Sequence, residues 1–371
     1  MMAVCCITGD LFQKDQDIPY FIRERRFFMD QTERKRIILV TQGGAGDVLA
    51  HTPMVRYYRK KYPEDELIVA STYAQLWENN PNVDKVVPLN AVEEFYQDEI
   101  LHKEIRFVKK HFVYDSIFDE RGRGSKCLPE FICKIYDAEY DGQKLDYFVA
   151  EKEKKIAKTF LRQYRTTTKL PIVLLHCTGS IASDGNLNKS NSFKDLEIPK
   201  VVELVKRQKE RILFIQIGLN GEPVVEGAID ALGMPMREAV ALIPEVDSFL
   251  FIESLFAHCS NALGKTGLVV FQNTDPTFFG YSNNHNLSFS GGCADWPCNR
   301  PVGALFDLMA GYRNPKTRQK LLWECNDQLC KKMPVEDVEK ALLESLERKE
   351  TGLELARGVQ PGHRPAQNAI S

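Results

Sequence analysis

Two groups of residues in this chain have the types and spacing to do chemistry. The first is Gly43-Gly44-Ala45-Gly46-Asp47, three glycines followed by a single carboxylate. It comes after a short apolar run, Ile37 to Val40, that reads as a buried strand. Beyond it, Met54-Val55-Arg56-Tyr57-Tyr58 has the apolar-plus-basic pattern of a surface helix. A strand, a glycine turn and a helix place backbone N–H groups where an anion binds, and they also present one carboxylate, Asp47, as a base for a nucleophile. Helix capping is the competing role for Asp47, and Gly43, Gly44 and Gly46 are equally compatible with turn geometry alone. The second group is a pair of C-x4-C segments, Cys293 with Cys298 and Cys325 with Cys330. Closely spaced cysteine pairs are typical of closed tetrahedral sites, where four thiolates suit zinc or iron and leave no open position for catalysis. Four unrelated buried thiols would read the same way. The other cysteines show no such pairing and are expected to be reduced.

These groups need elements to position them. A chain of 371 residues exceeds one comfortable core and predicts two domains. After an N-terminal extension over 1–35, apolar strand candidates at Ile37–Val40, Leu67–Ala70, Lys85–Leu89 and Ser116–Asp119 alternate with helical patterns near 48–61, 73–78 and 92–111. Further helices are expected at Leu128–Tyr136 and Glu151–Tyr164, closing a first domain over 36–165, with Thr166 to Pro171 as linker. A second series over 171–333 has strands at Ile172–His176, Ile212–Ile217, Phe249–Ile252 and Leu268–Phe271, with helices near 198–210, 222–232 and 254–263. A late amphipathic helix covers 334–350, and the Gly- and Pro-bearing stretch 351–371 is expected to be disordered. The βαβα order predicts an α/β protein of two Rossmann-like domains facing across a cleft, with ligands at the C-terminal ends of the strands.

Composition excludes several functions. The formal net charge of −2 lacks the basic excess of a nucleic-acid binder. No apolar run approaches the roughly 18 residues of a membrane span, which excludes a transmembrane segment and leaves peripheral contact open. The first residues lack the basic start of a signal peptide, so a cytoplasmic location is expected. No motif in the sequence sets an oligomeric state.

An ordered set of segments resembles glycosyltransferase family 9, the heptosyltransferase-like enzymes of GT-B fold. Gly46-Asp47-Val48-Leu49-Ala50-His51-Thr52-Pro53 is similar to the family's G-D-x-x-x-x-T-P opening, and Asn80-Pro81-Asn82-Val83-Asp84 follows as in the family. Ile217 to Glu222 is similar to its G-x-x-x-E segment. Glu253-Ser254-Leu255-Phe256-Ala257-His258, running to Gly264, resembles D-[ST]-G-x-x-H-x-x-x-x-x-G, and Asn273-Thr274-Asp275-Pro276 with Gly280 resembles the T-x-P…G loop. Two positions depart from the pattern: Glu253 stands for an aspartate and Leu255 for a glycine that admits phosphate close to the backbone.

The resemblance implies an inverting transferase that needs no catalytic metal. Its donor would be a nucleotide sugar, ADP-heptose foremost, and its acceptor a hydroxyl on a lipopolysaccharide core sugar or a protein. It implies Asp47 as the base and Lys189, with Lys194 as competitor, on the donor pyrophosphate. Glu222 would meet the nucleoside, Ser254 and His258 the diphosphate and sugar, and Thr274 and Asp275 a loop that closes on the donor. The two cysteine pairs resemble the iron finger of the autotransporter heptosyltransferase branch. Another nucleotide sugar, or a nucleotide-binding assembly protein without turnover, is the alternative.

Overall fold

The computed structural model describes residues 34–89, 92–111, 120–122, 124–179, 194–293, 296–297 and 329–350. Two parallel sheets organise them. The first has the order β3-β2-β1-β4, built from β1 (Arg36–Thr41), β2 (Glu66–Ser71), β3 (Lys85–Pro88) and β4 (Ile105–Lys110). The second has six strands: β5 (Ile172–His176), β6 (Leu213–Gly218), β7 (Ile229–Leu232), β8 (Ser248–Ile252), β9 (Leu268–Phe271) and β10 (His285–Ser288). Their order is β10-β9-β8-β5-β6-β7. All described strand pairings are parallel, and Leu174 of β5 sits opposite Ile215 of β6 and Phe249 of β8. The expected α/β architecture of two Rossmann-like sheets is present.

Strand alternation decides what each face buries. In β1, Ile37 and Leu39 point into a core that continues through α1 (Ala45–Ala50), α2 (Thr52–Lys61) and α4 (Leu128–Ile135). That core runs on to Leu174, Ile217, Phe249 and Phe251 of the second sheet. Ile38 and Val40 point to the opposite face, against Ile68, Ala70 and Val87. The outer face of the second sheet is covered by α6 (Ile198–Gln208) and α10 (Val335–Glu350), through Val201, Leu204, Val205 and Leu342. Phe249 and Phe251 stack with centroids 4.3 Å apart, and removing either ring from so dense a site would cost about 3–5 kcal/mol.

Three local expectations are corrected. The stretch 92–111 is not one helix: α3 (Val92–Phe95) and a π turn end at Ile100, and Ile105–Lys110 forms β4. The sequence Ile-Arg-Phe-Val-Lys-Lys has the two-residue period of a half-exposed strand, and burial alternates along it. The stretch 222–232 is a turn followed by β7, because Pro223 and the positive φ of Gly221 and Gly227 deny it a helix. Gln216 completes that turn, donating to the Pro223 carbonyl at 2.9 Å and accepting from Val225 N–H at 2.7 Å. The 48–61 helix is divided at His51, where α1 ends and α2 begins with Pro53 in its first turn. Ser116–Asp119 lies outside the described residues.

The segment expected to end the first domain packs against the second sheet's side. α5 (Glu151–Thr167) lies on α7 (Met236–Leu242), and Arg237 holds the junction. Its guanidinium donates to Glu153 at 2.6 and 3.0 Å, to the Gln75 carbonyl at 2.7 Å and to the Phe148 carbonyl at 2.8 Å.

Candidate functional site

The glycine turn sits at the C-terminal end of β1. Asp47, in the first turn of α1, folds back so that its carboxylate accepts the Gly44 N–H at 2.9 Å. A Cβ on Gly43, whose φ is +123°, would lie 2.9 Å from that carboxylate oxygen, so glycine is needed there for both space and conformation. Beneath the turn His51 is fully buried, its Nδ1 2.7 Å from the Asp47 carbonyl oxygen. Burial lowers the His51 pKa to about 4, so the ring is neutral.

The second sheet supplies the other wall through α8 (Leu255–Ala262), which packs on α1. Its His258 ring lies directly over Gly46: a Cβ at Gly46 would fall 2.6 Å from Cδ2 and 2.8 Å from Nε2. This is why the third glycine of the turn has no side chain. His258 is 2% exposed, with Nδ1 2.5 Å from the Tyr281 hydroxyl and Nε2 3.7 Å from Glu253 Oε1. Glu253, just past β8, forms an ion pair with Lys194. Burial pushes the Glu253 carboxyl up, but the Lys194 ammonium and the His258 imidazole outweigh it and hold the group at about 2. For Asp47 burial wins: its pKa is raised despite Lys194, His258 and the Gly44 N–H, with Glu253 adding to the rise. The Asp47 carboxylate, an imidazole, an ammonium and a second carboxylate therefore meet where α1 and α8 touch.

Ser254 is the N-cap of α8 rather than a member of the helix, and its hydroxyl lies 3.0 Å from His176 Nδ1 at the end of β5. Burial lowers His176 to about 3. Glu222 occupies the end of β6, accepting the Leu219 N–H at 2.9 Å and the Thr178 hydroxyl. Gly218 gives it room, since a Cβ there would lie 2.2 Å from Glu222 Oε2. Burial raises the Glu222 pKa. After β9, Thr274 is 1% exposed, and neither its hydroxyl nor the side-chain carbonyl of buried Asn273 has a hydrogen-bond partner among the described residues. Burying such groups unpaired is costly. Asp275 is committed locally: it caps α9 (Pro276–Phe279), accepting from Thr277 N–H at 2.8 Å and Thr277 hydroxyl at 2.6 Å.

The structure thus brings Asp47 to His258 and places Ser254, Glu222 and Thr274 at the C-terminal ends of second-sheet strands. Lys189, Cys298 and Cys325 lie outside the described residues. Among those described, no group of three or more His, Cys, Asp or Glu is arranged to hold a metal ion. Cys293 and Cys330 are on neighbouring backbone, because a Cβ at Gly291 would lie 2.5 Å from the Leu329 carbonyl oxygen. Residues that sequence reasoning passed over are His176, Thr178 and Tyr281. Each sits in a loop or at a strand end, with no local pattern to mark it.

No family model and no curated protein matches the sequence. Solved structures do match in fold. A glycosyl transferase family 9 protein from Veillonella parvula has a TM-score of 0.59 at 14% identity, covering 85% of this chain and 98% of that one. TibC, described as a dodecameric iron-containing heptosyltransferase in complex with ADP-D-beta-D-heptose, has a TM-score of 0.58 at 13% identity, covering 87% and 80%. ADP-heptose lps heptosyltransferase II of E. coli has a TM-score of 0.50 at 14% identity, covering 74% and 98%. The fold of this chain is the two-sheet GT-B fold of glycosyltransferase family 9 and heptosyltransferase structures.

Proposed function

We propose that this chain is an inverting glycosyltransferase moving a heptose or related sugar from a nucleoside diphosphate, ADP-heptose foremost, to a hydroxyl of a lipopolysaccharide core sugar or a protein. One observation carries the reading: Gly46 of the Asp47 turn lies against the His258 ring, which brings the Asp47 carboxylate of the first sheet beside the His258, Glu253 and Lys194 group of the second. In this reading an acceptor hydroxyl attacks the anomeric carbon while Asp47 takes its proton, and the bond from that carbon to the diphosphate oxygen breaks. A raised carboxylate pKa strengthens Asp47 as a base. The Lys194 ammonium meets the charge that develops on the leaving diphosphate, with Lys189 as the second candidate. Glu222 takes a ribose hydroxyl, and Ser254 and Thr274 face the donor. No catalytic metal is required.

Glu253 and Leu255 at the start of α8 are the reason to keep another nucleotide sugar as the alternative donor. The close approach of Gly291 to Leu329 supports a structural zinc or iron held by Cys293, Cys298, Cys325 and Cys330. Metal analysis of the purified chain decides that point, and less than about a tenth of an ion per chain would leave the thiols as packing. A cytoplasmic location, with the acceptor at a membrane surface, belongs to the same proposal. Among the described residues no helix is long and apolar enough to cross a membrane.

A panel of nucleotide sugars, with release of the nucleoside diphosphate as readout, tests the reading. ADP-heptose is expected to turn over, and Asp47→Asn to lower the rate about a thousandfold with the fold intact. A wild-type rate from Asp47→Asn would remove Asp47 as base. Binding of a nucleotide sugar without release would favour a non-catalytic nucleotide-binding protein.

A further inference from the structure

His258 is boxed in from three sides. Gly46 lies against its ring at a distance no side chain would permit, Glu253 Oε1 is 3.7 Å from Nε2, and the Tyr281 hydroxyl is 2.5 Å from Nδ1. We propose that Tyr281 is a positioning residue for the transfer reaction: its hydroxyl donates to His258 Nδ1, so that the Nε2–H faces Glu253 beside the Asp47 turn. The inference rests on the proposed transferase reading and extends it to a residue with no sequence signal.

The donor and acceptor roles follow from the surroundings. A proton on Nε2 faces a carboxylate, whereas a proton on Nδ1 would leave the Nε2 lone pair directed at that same carboxylate. The Nε2–H form leaves Nδ1 as an acceptor, which the phenol satisfies. Burial raises the Tyr281 pKa well above its usual value, so the hydroxyl keeps the proton it donates.

Tyr281 is itself held firmly. Gly280 ends α9, and a Cβ there would lie 2.3 Å from the Pro276 carbonyl oxygen, so the chain leaves the helix tightly. Asn286 Nδ2 donates to the Tyr281 carbonyl at 3.0 Å, and Asn284 N–H donates to it at 3.1 Å. Asn284 Nδ2 in turn donates to Ser260 Oγ of α8 at 3.1 Å, tying the tyrosine loop to the helix that carries His258. The consequence is a fixed N–H donor between the base and the Lys194–Glu253 pair, where charge changes most during transfer.

Tyr281→Phe removes the hydroxyl and keeps the ring. It is expected to lower kcat for nucleoside diphosphate release about tenfold while the donor KM stays within about twofold, the loss of one aligned hydrogen bond. In a His258→Gln background the same substitution is expected to add less than about twofold, because its effect passes through His258. Long-range 1H–15N spectra of the resting protein are expected to show His258 as the Nε2–H tautomer in wild type and as a mixture in Tyr281→Phe. An unchanged kcat in Tyr281→Phe, or additive losses in the double variant, overturns the proposal while leaving the transferase reading in place. A Nδ1–H tautomer in wild type overturns it even if Tyr281→Phe does not fold. A wild-type chain that cleaves no nucleotide sugar defeats the transferase reading, and this proposal with it.

Discussion

The turns after β1 and β6 are built alike and surrounded differently. In each, a carboxylate reaches back to a backbone N–H three residues earlier: Asp47 to Gly44 and Glu222 to Leu219, both at 2.9 Å. In each, a glycine clears the space, Gly43 for Asp47 and Gly218 for Glu222. Burial raises both pKa values. The surroundings then diverge. Asp47 feels the ammonium of Lys194 and the imidazole of His258, whereas Glu222 meets a threonine hydroxyl and the like charge of Asp195. A carboxylate beside an ammonium is suited to take a proton and give it up again, while one beside hydroxyls is suited to accept hydrogen bonds from a sugar. Under the proposed transfer reaction, the same local device would serve a base at one sheet and a binding group at the other.

The contrast is broken most severely at Gly46. Gly46→Ala puts a Cβ 2.6 Å from the His258 ring, and either the ring or α1 must move. A displacement of that kind is expected to lower kcat about a hundredfold without touching the Glu222 side, as steady-state kinetics and donor-binding calorimetry would reveal. If transfer stays within about threefold of wild type, the contact between the two halves is not part of the reaction.

Acid tests the histidines beneath the two turns. Folded His51 and His176 protonate near pH 4 and 3, against about 6.5 when unfolded, so unfolding takes up protons in between. Their contribution to stability is complete above about pH 6.5 and is lost as the pH falls. Each accounts for about 2 kcal/mol by about pH 5. Urea midpoints measured from neutral to mildly acidic pH should fall accordingly, and a flat profile would mean that the rings reach water. The smallest expected effect sharpens the comparison. Glu222→Gln keeps the shape and removes the charge, so donor KM should rise about tenfold while kcat holds. A fall in kcat instead would give Glu222 a role in the chemistry itself.

Much of this was legible from local pattern. Ile172–Leu175 and Leu268–Phe271 are uninterrupted apolar runs, and β5 and β9 cover them because they are buried on both faces. β4 was read as helix because its alternating Ile-Arg-Phe-Val-Lys-Lys lies on the end of a charged, helix-like run. The sequence of β7 reads as helix because the turn before it is closed by Gln216, seven residues from Pro223 and nine from Val225. The glycine turn with Asp47 stood out because its spacing is short. Tyr281, His176 and the pairing of Lys194 with Glu253 did not, since no periodicity links residues distant in the chain that meet only when the ends of the second sheet's strands come together.

By itself the sequence determined the strand–turn–helix units, the glycines that clear space beside Asp47 and Glu222, and the reach of each carboxylate to its own turn. These depend on residues within a few positions of one another, where bond lengths and φ limits leave few choices. Only the tertiary structure decided which carboxylate lies near Lys194 and His258, and that His258 rests on Gly46. Coulomb energies over a few ångströms, and the loss of water that magnifies them, depend on positions in space that no local spacing records.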